Sequence, residues 1–302
     1  MDLRGVWWVT PDDDDVRRDA VGPDADTSGW AKIEVPGHWR EHPDFADSDG
    51  PLMYRRSFDM APPPEGTRRW VVFDGIFYQA DVWLDGAYLG DPEGYFEPHA
   101  FDITDLSRFS EEHALTVEVT CAKQSSVRGK RNITGVFQYW DGIDRTWNPG
   151  GIWAGVHVDD TGPVRVDRFR VLCRDADRSR AHVLCHARLD SDRTRTVHVR
   201  TCVDGRPVAE NERVLASGAN DVAWSIDIDD PALWWPHSLG AQPLTTITVE
   251  VIVDGAVSDR SERRTGLREV AWNEWTCSIN GERLFLKGAN LLPTRAGLAS
   301  AT

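Results

Sequence analysis

The sequence predicts a chain that is nearly all β, organised as two successive sandwiches, and three observations predict it. Asp-Gly or Asn-Gly recurs at Asp49-Gly50, Asp74-Gly75, Asp85-Gly86, Asp141-Gly142, Asp204-Gly205, Asp254-Gly255 and Asn280-Gly281. Several of these pairs sit between alternating apolar segments, the signature of two-residue hairpin turns. The alternation itself is of period two in many short segments, as half-buried strands require. No stretch sustains helical periodicity for three turns, so at most a few short helical turns are expected.

Taken in order, residues 80–84 place Ala80, Val82 and Leu84 on one face, and in residues 115–119 Thr116 and Glu118 face away from the apolar positions. The first 160 or so residues are most simply a jelly roll, a long antiparallel sandwich. The stretch Asp160-Thr-Gly-Pro163 reads as a linker, because a new series of strands starts after it. Residues 164–171 change phase midway, which predicts a bulge. Residues 181–189, 197–203, 222–228 and 247–253 then alternate, and about seven strands in roughly a hundred residues suit an immunoglobulin-like sandwich without the Cys and Trp marks of antibody domains. Asn280-Gly281 suits a type I′ turn, and Leu284, Phe285 and Leu286 form the continuous apolar run of a strand covered on both faces. Only a dozen residues follow Asn290, too few for a helical crossover, so the chain reads as the front portion of something larger.

Composition excludes several classes. A net charge of −15 argues against nonspecific nucleic-acid binding and against anionic membranes, and leaves neutral or cationic partners. No apolar run is long enough to span a bilayer, and the start of the chain lacks the form of a signal peptide, so a cytoplasmic location is expected. Cys121, Cys173, Cys185, Cys202 and Cys277 are odd in number and lack a Cys-x-x-Cys pair, which suggests buried small hydrophobes rather than disulfides or zinc, with Cys185 and Cys202 in the apolar phase of their strands. His182 and His186 share a polar strand face and are read as solvent-exposed. The run at residues 12–15 lacks EF-hand spacing and is read as a solvated acidic loop rather than a calcium site. Fourteen Trp residues exceed what a core of this size needs, and Trp is well suited to present a flat apolar face to a ligand. Trp234 and Trp235 are expected to pack one inward and one outward.

The order of segments carries a resemblance. Val35-Pro-Gly-His-Trp39, Tyr54-Arg-Arg-Ser-Phe58, Phe73-Asp-Gly75, Ala80-Asp-Val-Trp-Leu-Asp-Gly86, Leu89-Gly90 and Gly94-Tyr-Phe-Glu-Pro98 running into Phe101-Asp-Ile-Thr-Asp-Leu106 resemble the N-terminal sugar-binding domain of glycoside hydrolase family 2. Asn148-Pro-Gly-Gly-Ile-Trp153 resembles its last jelly-roll motif, and Leu233-Trp-Trp-Pro236, Gly240-Ala-Gln-Pro-Leu244 and Thr265-Gly-Leu-Arg268 the end of its immunoglobulin-like domain. Phe285-Leu-Lys-Gly-Ala-Asn290 resembles the first strand of its catalytic (β/α)8 barrel. The resemblance implies a sugar-binding jelly roll over residues 1–161, an immunoglobulin-like sandwich over 162–270, and the start of a barrel over 271–302 that is otherwise absent. Among its members, Leu233-Trp-Trp-Pro236 and Gly288-Ala-Asn290 look most similar to the β-mannosidase side, although the Gly-Trp-Asp-Trp-Gly-Pro element of β-mannosidases is replaced by Tyr139-Trp-Asp-Gly-Ile-Asp-Arg-Thr-Trp147.

The resemblance further implies retaining exo-hydrolysis of β-linked O-glycosides by two glutamates from later barrel strands, beyond residue 302, with no cofactor and no metal. Asn211-Glu212 and Asn273-Glu274 imitate the acid/base motif but precede the barrel and are read as decoys. No residue of this chain is therefore expected to be catalytic. In this family the loop at residues 139–148 reaches over the barrel mouth. Trp140 and Trp147 then stack on a pyranose face, Asp141 and Asp144 accept sugar hydroxyls, and Asn148 completes the set of substrate contacts. The alternative reading makes the Trp pair core plugs and the Asp pair local turn closers. The implied partners are a β-linked sugar, the barrel and a second copy of the chain. A stand-alone carbohydrate-binding module or lectin, or a scaffold built of sandwiches, is the rival class.

Overall fold

The computed structural model describes residues 1–121 and 148–290. These fall into two compact units that divide between Asp160 and Thr161.

In the first unit, β1 (Gly5–Pro11), β2 (Ala31–Val35), β3 (Leu52–Asp59), β5 (Gln79–Leu84), β6 (Ala87–Gly90) and β8 (Glu112–Thr120) form a six-stranded sheet ordered β2-β1-β3-β8-β5-β6. A second sheet of β4 (Arg68–Phe73), β7 (His99–Asp102) and β9 (Val156–Thr161), ordered β7-β4-β9, completes the sandwich. Every described pair in the two sheets for which a register is given is antiparallel. The core holds Ala80, Val82 and Leu84 as expected, with Leu115, Val117 and Val119 from β8 beside them.

The polar face of β8 is not solvated. Thr116 and Glu118 are buried too, under a short helix α1 (Asp14–Ala20) that the hydrophobic pattern did not announce. Its start signal is the acidic run itself: Asp13 is the N-cap, accepting from the backbone N–H of Asp15 at 3.0 Å and Val16 at 2.8 Å. The expected solvated loop is thus a helix terminus, with Asp14 and Asp15 in the first turn and Arg17 and Arg18 in the last, complementing the helix dipole. Arg17 reaches down between two carboxylates, at 2.6 Å from Asp12 and 2.7 Å from Glu118. The Asp12 side chain has no exposed surface.

Burial raises the pKa of both Asp12 and Glu118, outweighing Arg17, because one guanidinium serves two carboxylates. A carboxyl whose pKa rises on folding favours the folded state below its ordinary value of about 4 and loses that contribution as pH climbs through the raised value. Glu118→Gln removes one of the two competing charges. Relative to the parent, the variant is expected to gain stability between pH 4 and pH 7, read from urea unfolding at both ends of that window. A variant that instead loses ground at pH 7 would show that the ionised pair with Arg17 outweighs desolvation.

In the second unit, β10 (Val164–Ala176), β11 (Arg180–Ser191) and β14 (Gly218–Asp229) face β12 (Arg195–Val203), β13 (Arg206–Leu215), β15 (Thr245–Val253) and β16 (Ala256–Thr265), three strands against four. The phase change in β10 is a register shift between Val166 and Arg168. Trp224 plugs this core, stacked on Phe169 and donating from Nε1 to Thr201 Oγ1 at 2.8 Å. Cys185 is buried in the same core, but Cys202 is not in the apolar phase. Alternation in β12 turns Val197, Val199 and Thr201 to one face, so Cys202 is buried on the other side. His182 and His186 are only partly exposed and face carboxylates on β14, His182 at 2.9 Å from Asp227 and His186 at 3.7 Å from Asp221. Trp234 and Trp235 lie outside any strand, so alternation does not apply to them. Both are half-buried, Trp234 beneath the Arg268 guanidinium and Trp235 against Gly240.

Asp85-Gly86, Asp204-Gly205, Asp254-Gly255 and Asn280-Gly281 all have two positive φ angles, as a type I′ turn demands. Asp74-Gly75 does not, and its glycine has a packing role instead: a Cβ there would lie 2.6 Å from Trp153 Nε1. The last hairpin joins β18 (Thr276–Ile279) to β19 (Glu282–Leu284), which with β17 (Val270–Asn273) make a small antiparallel sheet. Leu284 is half-buried, but Phe285 is 82 % exposed and Leu286 56 %, so the run expected to be covered on both faces is open here.

Candidate functional site

One end of the first sandwich gathers the motifs that were singled out in the sequence. The chain leaving β2 runs through Gly37, His38 and Trp39, and the segment at residues 148–153 lies against it. Gly37 N donates to Ile152 O at 2.9 Å, Trp39 N to Gly150 O at 2.9 Å, and His38 Nδ1 to the Pro149 carbonyl at 2.6 Å. Burial lowers the pKa of His38, which favours the neutral imidazole. On the opposite side Gly151 exchanges both backbone hydrogen bonds with Phe77, at 2.8 and 3.0 Å.

The glycines are there because nothing larger fits. A Cβ on Gly150 would come within 2.0 Å of the Trp39 ring, and one on Gly151, at φ +140°, within 2.5 Å of Gly37 O.

Asn148 is the centre of this arrangement and is fully buried. Its Nδ2 donates to Asp49 O at 2.9 Å and Cys121 O at 2.5 Å, and its Oδ1 accepts from Arg40 Nε at 2.8 Å as well as from Arg40 Nη2. Arg40 also pairs with Asp49 at 3.0 Å and donates to Ala46 O at 2.8 Å. The expectation that Asn148 touches substrate is therefore corrected. Both its amide protons and its oxygen are committed within the fold, leaving nothing to offer a sugar. What it does is join Cys121 to itself, so that these two described residues lie side by side. Trp140, Asp141, Asp144 and Trp147 lie outside the described residues.

Beside this latch is a group of aromatic side chains. Phe77 stacks on Tyr95 at 4.5 Å, Phe96 meets the edges of Tyr95 and Trp153, and Trp153 Nε1 donates to Tyr95 O at 2.7 Å. Tyr78 bonds Glu93 through its hydroxyl, and Phe96 is exposed. Flat apolar faces beside a carboxylate can hold a sugar ring by stacking and by accepting its hydroxyls. Arg40, Asp49, Tyr78, Glu93 and Phe96 were not singled out as site residues. Arg40 and Asn148 are 108 residues apart, which no local pattern can join.

Four of the fourteen Trp residues, Trp7, Trp39, Trp70 and Trp224, are buried in the two units. Glu212 is exposed on β13, and Glu274 is exposed at positive φ in the turn between β17 and β18. Among the described residues no group of three His, Cys, Asp or Glu side chains is placed to hold a metal ion, and no helix is long and apolar enough to cross a membrane.

Comparison with known proteins follows the division of the chain. Residues 46–145 match the family described as Glycosyl hydrolase 2 galactose-binding domain-like, and residues 164–268 match Glycosyl hydrolases family 2. The chain is 25 % identical over 266 residues to the exo-β-D-glucosaminidase of Hypocrea jecorina, covering 80 % of this chain and 28 % of that protein. It is 25 % identical over 280 residues to β-mannosidase B of Emericella nidulans, covering 82 % and 33 %. The exo-chitosanase of Amycolatopsis orientalis shares the fold over 99 % of this chain and 37 % of its own, with a TM-score of 0.76 at 19 % identity. The chain spans about a third of the length of the curated relatives it matches.

Proposed function

We propose, from the premise that this chain belongs to glycosyl hydrolase family 2, that it is the non-catalytic front of a retaining exo-glycosidase acting on β-linked O-glycosides. The observation that carries this reading is the pair of family matches in the family's order, one on each unit, against relatives of which the chain covers only about a third. On this reading residues 1–161 are the sugar-binding domain, 162–270 the immunoglobulin-like support, and 271–302 lead into a barrel that holds both catalytic acids.

The latch gives the first domain its part. Asn148 holds Cys121 beside it, so the described residues that flank residues 122–147 are joined, and Trp140, Asp141, Asp144 and Trp147 are the residues proposed to meet the sugar bound in the barrel. Surface apolarity at the other extreme of the chain supports the same assignment. Trp272, Trp275, Phe285 and Leu286 line a groove of about 480 Å³ and are all exposed, Trp275 by 96 %, and the barrel is what would cover them. The five cysteines are all free thiols, in keeping with a cytoplasmic protein.

Retaining hydrolysis needs two carboxyl groups about 5 Å apart across the scissile bond, and neither sandwich is proposed to supply them. Purified residues 1–302 are expected to release no nitrophenol from the β-mannoside, β-glucosaminide, β-glucuronide or β-galactoside. Turnover of any of the four by this chain would overturn the non-catalytic reading.

A further inference from the structure

The second unit carries a pocket that a supporting role does not use. β10 is an edge strand of its sheet, with β11 its only partner among the described residues. Where residues 171–174 of β10 come opposite residues 265–270, a pocket of about 420 Å³ opens between them. Val171, Leu172 and Val270 give it an apolar lining, and Leu172 and Val270 are both exposed. Arg174 and Arg268 supply its charge, and no Asp or Glu lines it. A pocket with apolar walls and a few polar groups, at this volume, has the form of a small-molecule site.

Arg268 is held in place without being neutralised. Its guanidinium lies 4.7 Å over the Trp234 ring and its Nη1 donates to the Gly266 carbonyl at 3.0 Å, yet no carboxylate pairs with it among the described residues. Gly266 belongs to the same fixture, since a Cβ there would lie 2.6 Å from Trp234. Burial raises the pKa of the Cys173 thiol, and the Arg268 charge opposes that rise, which puts the guanidinium beside a residue that lines the pocket. The Arg174 side chain is exposed and forms no hydrogen bond or ion pair among the described residues. Of the nearby acids, Asp175 pairs with Arg180 at 3.3 Å and Glu269 does not line the pocket. A cation withdrawn from water is ordinarily paired. In a chain of 49 acidic and 34 basic residues, two guanidiniums on one pocket without a carboxylate leave a place for an anion from outside. Charge on an edge strand can also serve to keep other strands away, which accounts for Arg174 but not for Arg268, fixed on a ring beyond the end of β16.

We propose that this pocket binds a small organic carboxylate with a compact apolar body. The planar fork of an arginine matches a carboxylate, and the apolar wall takes the remainder of the molecule. An inorganic anion would use the charge and leave Val171, Leu172 and Val270 uncovered. The proposal goes beyond the supporting role of residues 162–270 and does not depend on the barrel, since every lining residue belongs to the second unit.

Calorimetric titration of the chain at neutral pH and low ionic strength tests this, with benzoate, benzyl alcohol as its uncharged counterpart and sodium sulfate as probes. The net charge of −15 repels anions from the molecule as a whole, so saturable binding of benzoate has to come from a local site. Benzoate is expected to saturate and to bind at least about tenfold more tightly than benzyl alcohol or sulfate. Arg174→Gln changes an exposed, unpaired side chain, so its thermal unfolding should match the parent while its affinity for benzoate falls by about tenfold. Arg170→Gln removes the same charge from the same strand outside the pocket and should leave the affinity within about twofold. No benzoate binding, equal binding of benzyl alcohol or sulfate, an unchanged affinity in Arg174→Gln, or an equal loss in both variants would overturn the proposal.

Discussion

Replacing Asn148 with alanine is expected to cost the first unit about 3 to 5 kcal/mol of stability, one of the two largest effects that a single substitution in this chain should have. The figure follows from what the truncation strands. The carbonyls of Asp49 and Cys121 lose their donor, and Arg40 loses the oxygen that accepts from two of its nitrogens. Each buried polar group left unpaired costs about 1 to 3 kcal/mol, and the cavity left by a fully buried side chain adds to it. Arg40 keeps Asp49 and the Ala46 carbonyl, which limits the loss. Urea unfolding of the variant measures it, with Asn148→Asp as a control that keeps an acceptor for Arg40 and loses the donors to both carbonyls. A loss below about 1 kcal/mol in the alanine variant would mean that the two carbonyls find other donors and that Asn148 is not a latch.

The second large effect is predicted for Gly150→Ala, which deletes nothing. The added methyl would lie 2.0 to 2.3 Å from three atoms of the Trp39 indole, a ring with no exposed surface whose Nε1 also bonds Ser48 O at 3.2 Å. The ring has no open space to swing into, so backbone or core must move, at a cost of about 3 kcal/mol. Thermal unfolding reads this directly. Gly205→Ala, at a turn glycine of positive φ with open space around it, provides the comparison: it pays for backbone strain without overpacking and should cost less. If Gly150→Ala unfolds at the parent temperature, Trp39 is not wedged as described.

Much of the fold was legible because the responsible physics is local. The turns at Asp85-Gly86, Asp204-Gly205, Asp254-Gly255 and Asn280-Gly281 follow from residue types that tolerate positive φ, and the strands between them from a period of two. Even the bulge in β10 was visible as a change of phase. The misses share one cause. Helix α1 was hidden because seven residues are too few to show a period, and only the Asp13 cap marked its start. Cys202 was misplaced because it lies an odd number of steps from Val197 and Val199, and its burial comes from what covers the other face of the strand. For the candidate site, the motif at residues 148–153 was legible as a landmark, but the role given to Asn148 was not, because its partners lie at residues 40, 49 and 121.

The sequence by itself determined that this chain is two successive antiparallel sandwiches, since hairpin turns and strand alternation are written between near neighbours. Only the tertiary structure decided that Asn148 faces inward as a latch and that the carboxylates of Asp12 and Glu118 share one half-exposed arginine. Those outcomes depend on which distant side chains meet once the sheets close, and on how much water is left around them. Burial and partner choice are properties of the packed whole, and a local pattern carries no record of them.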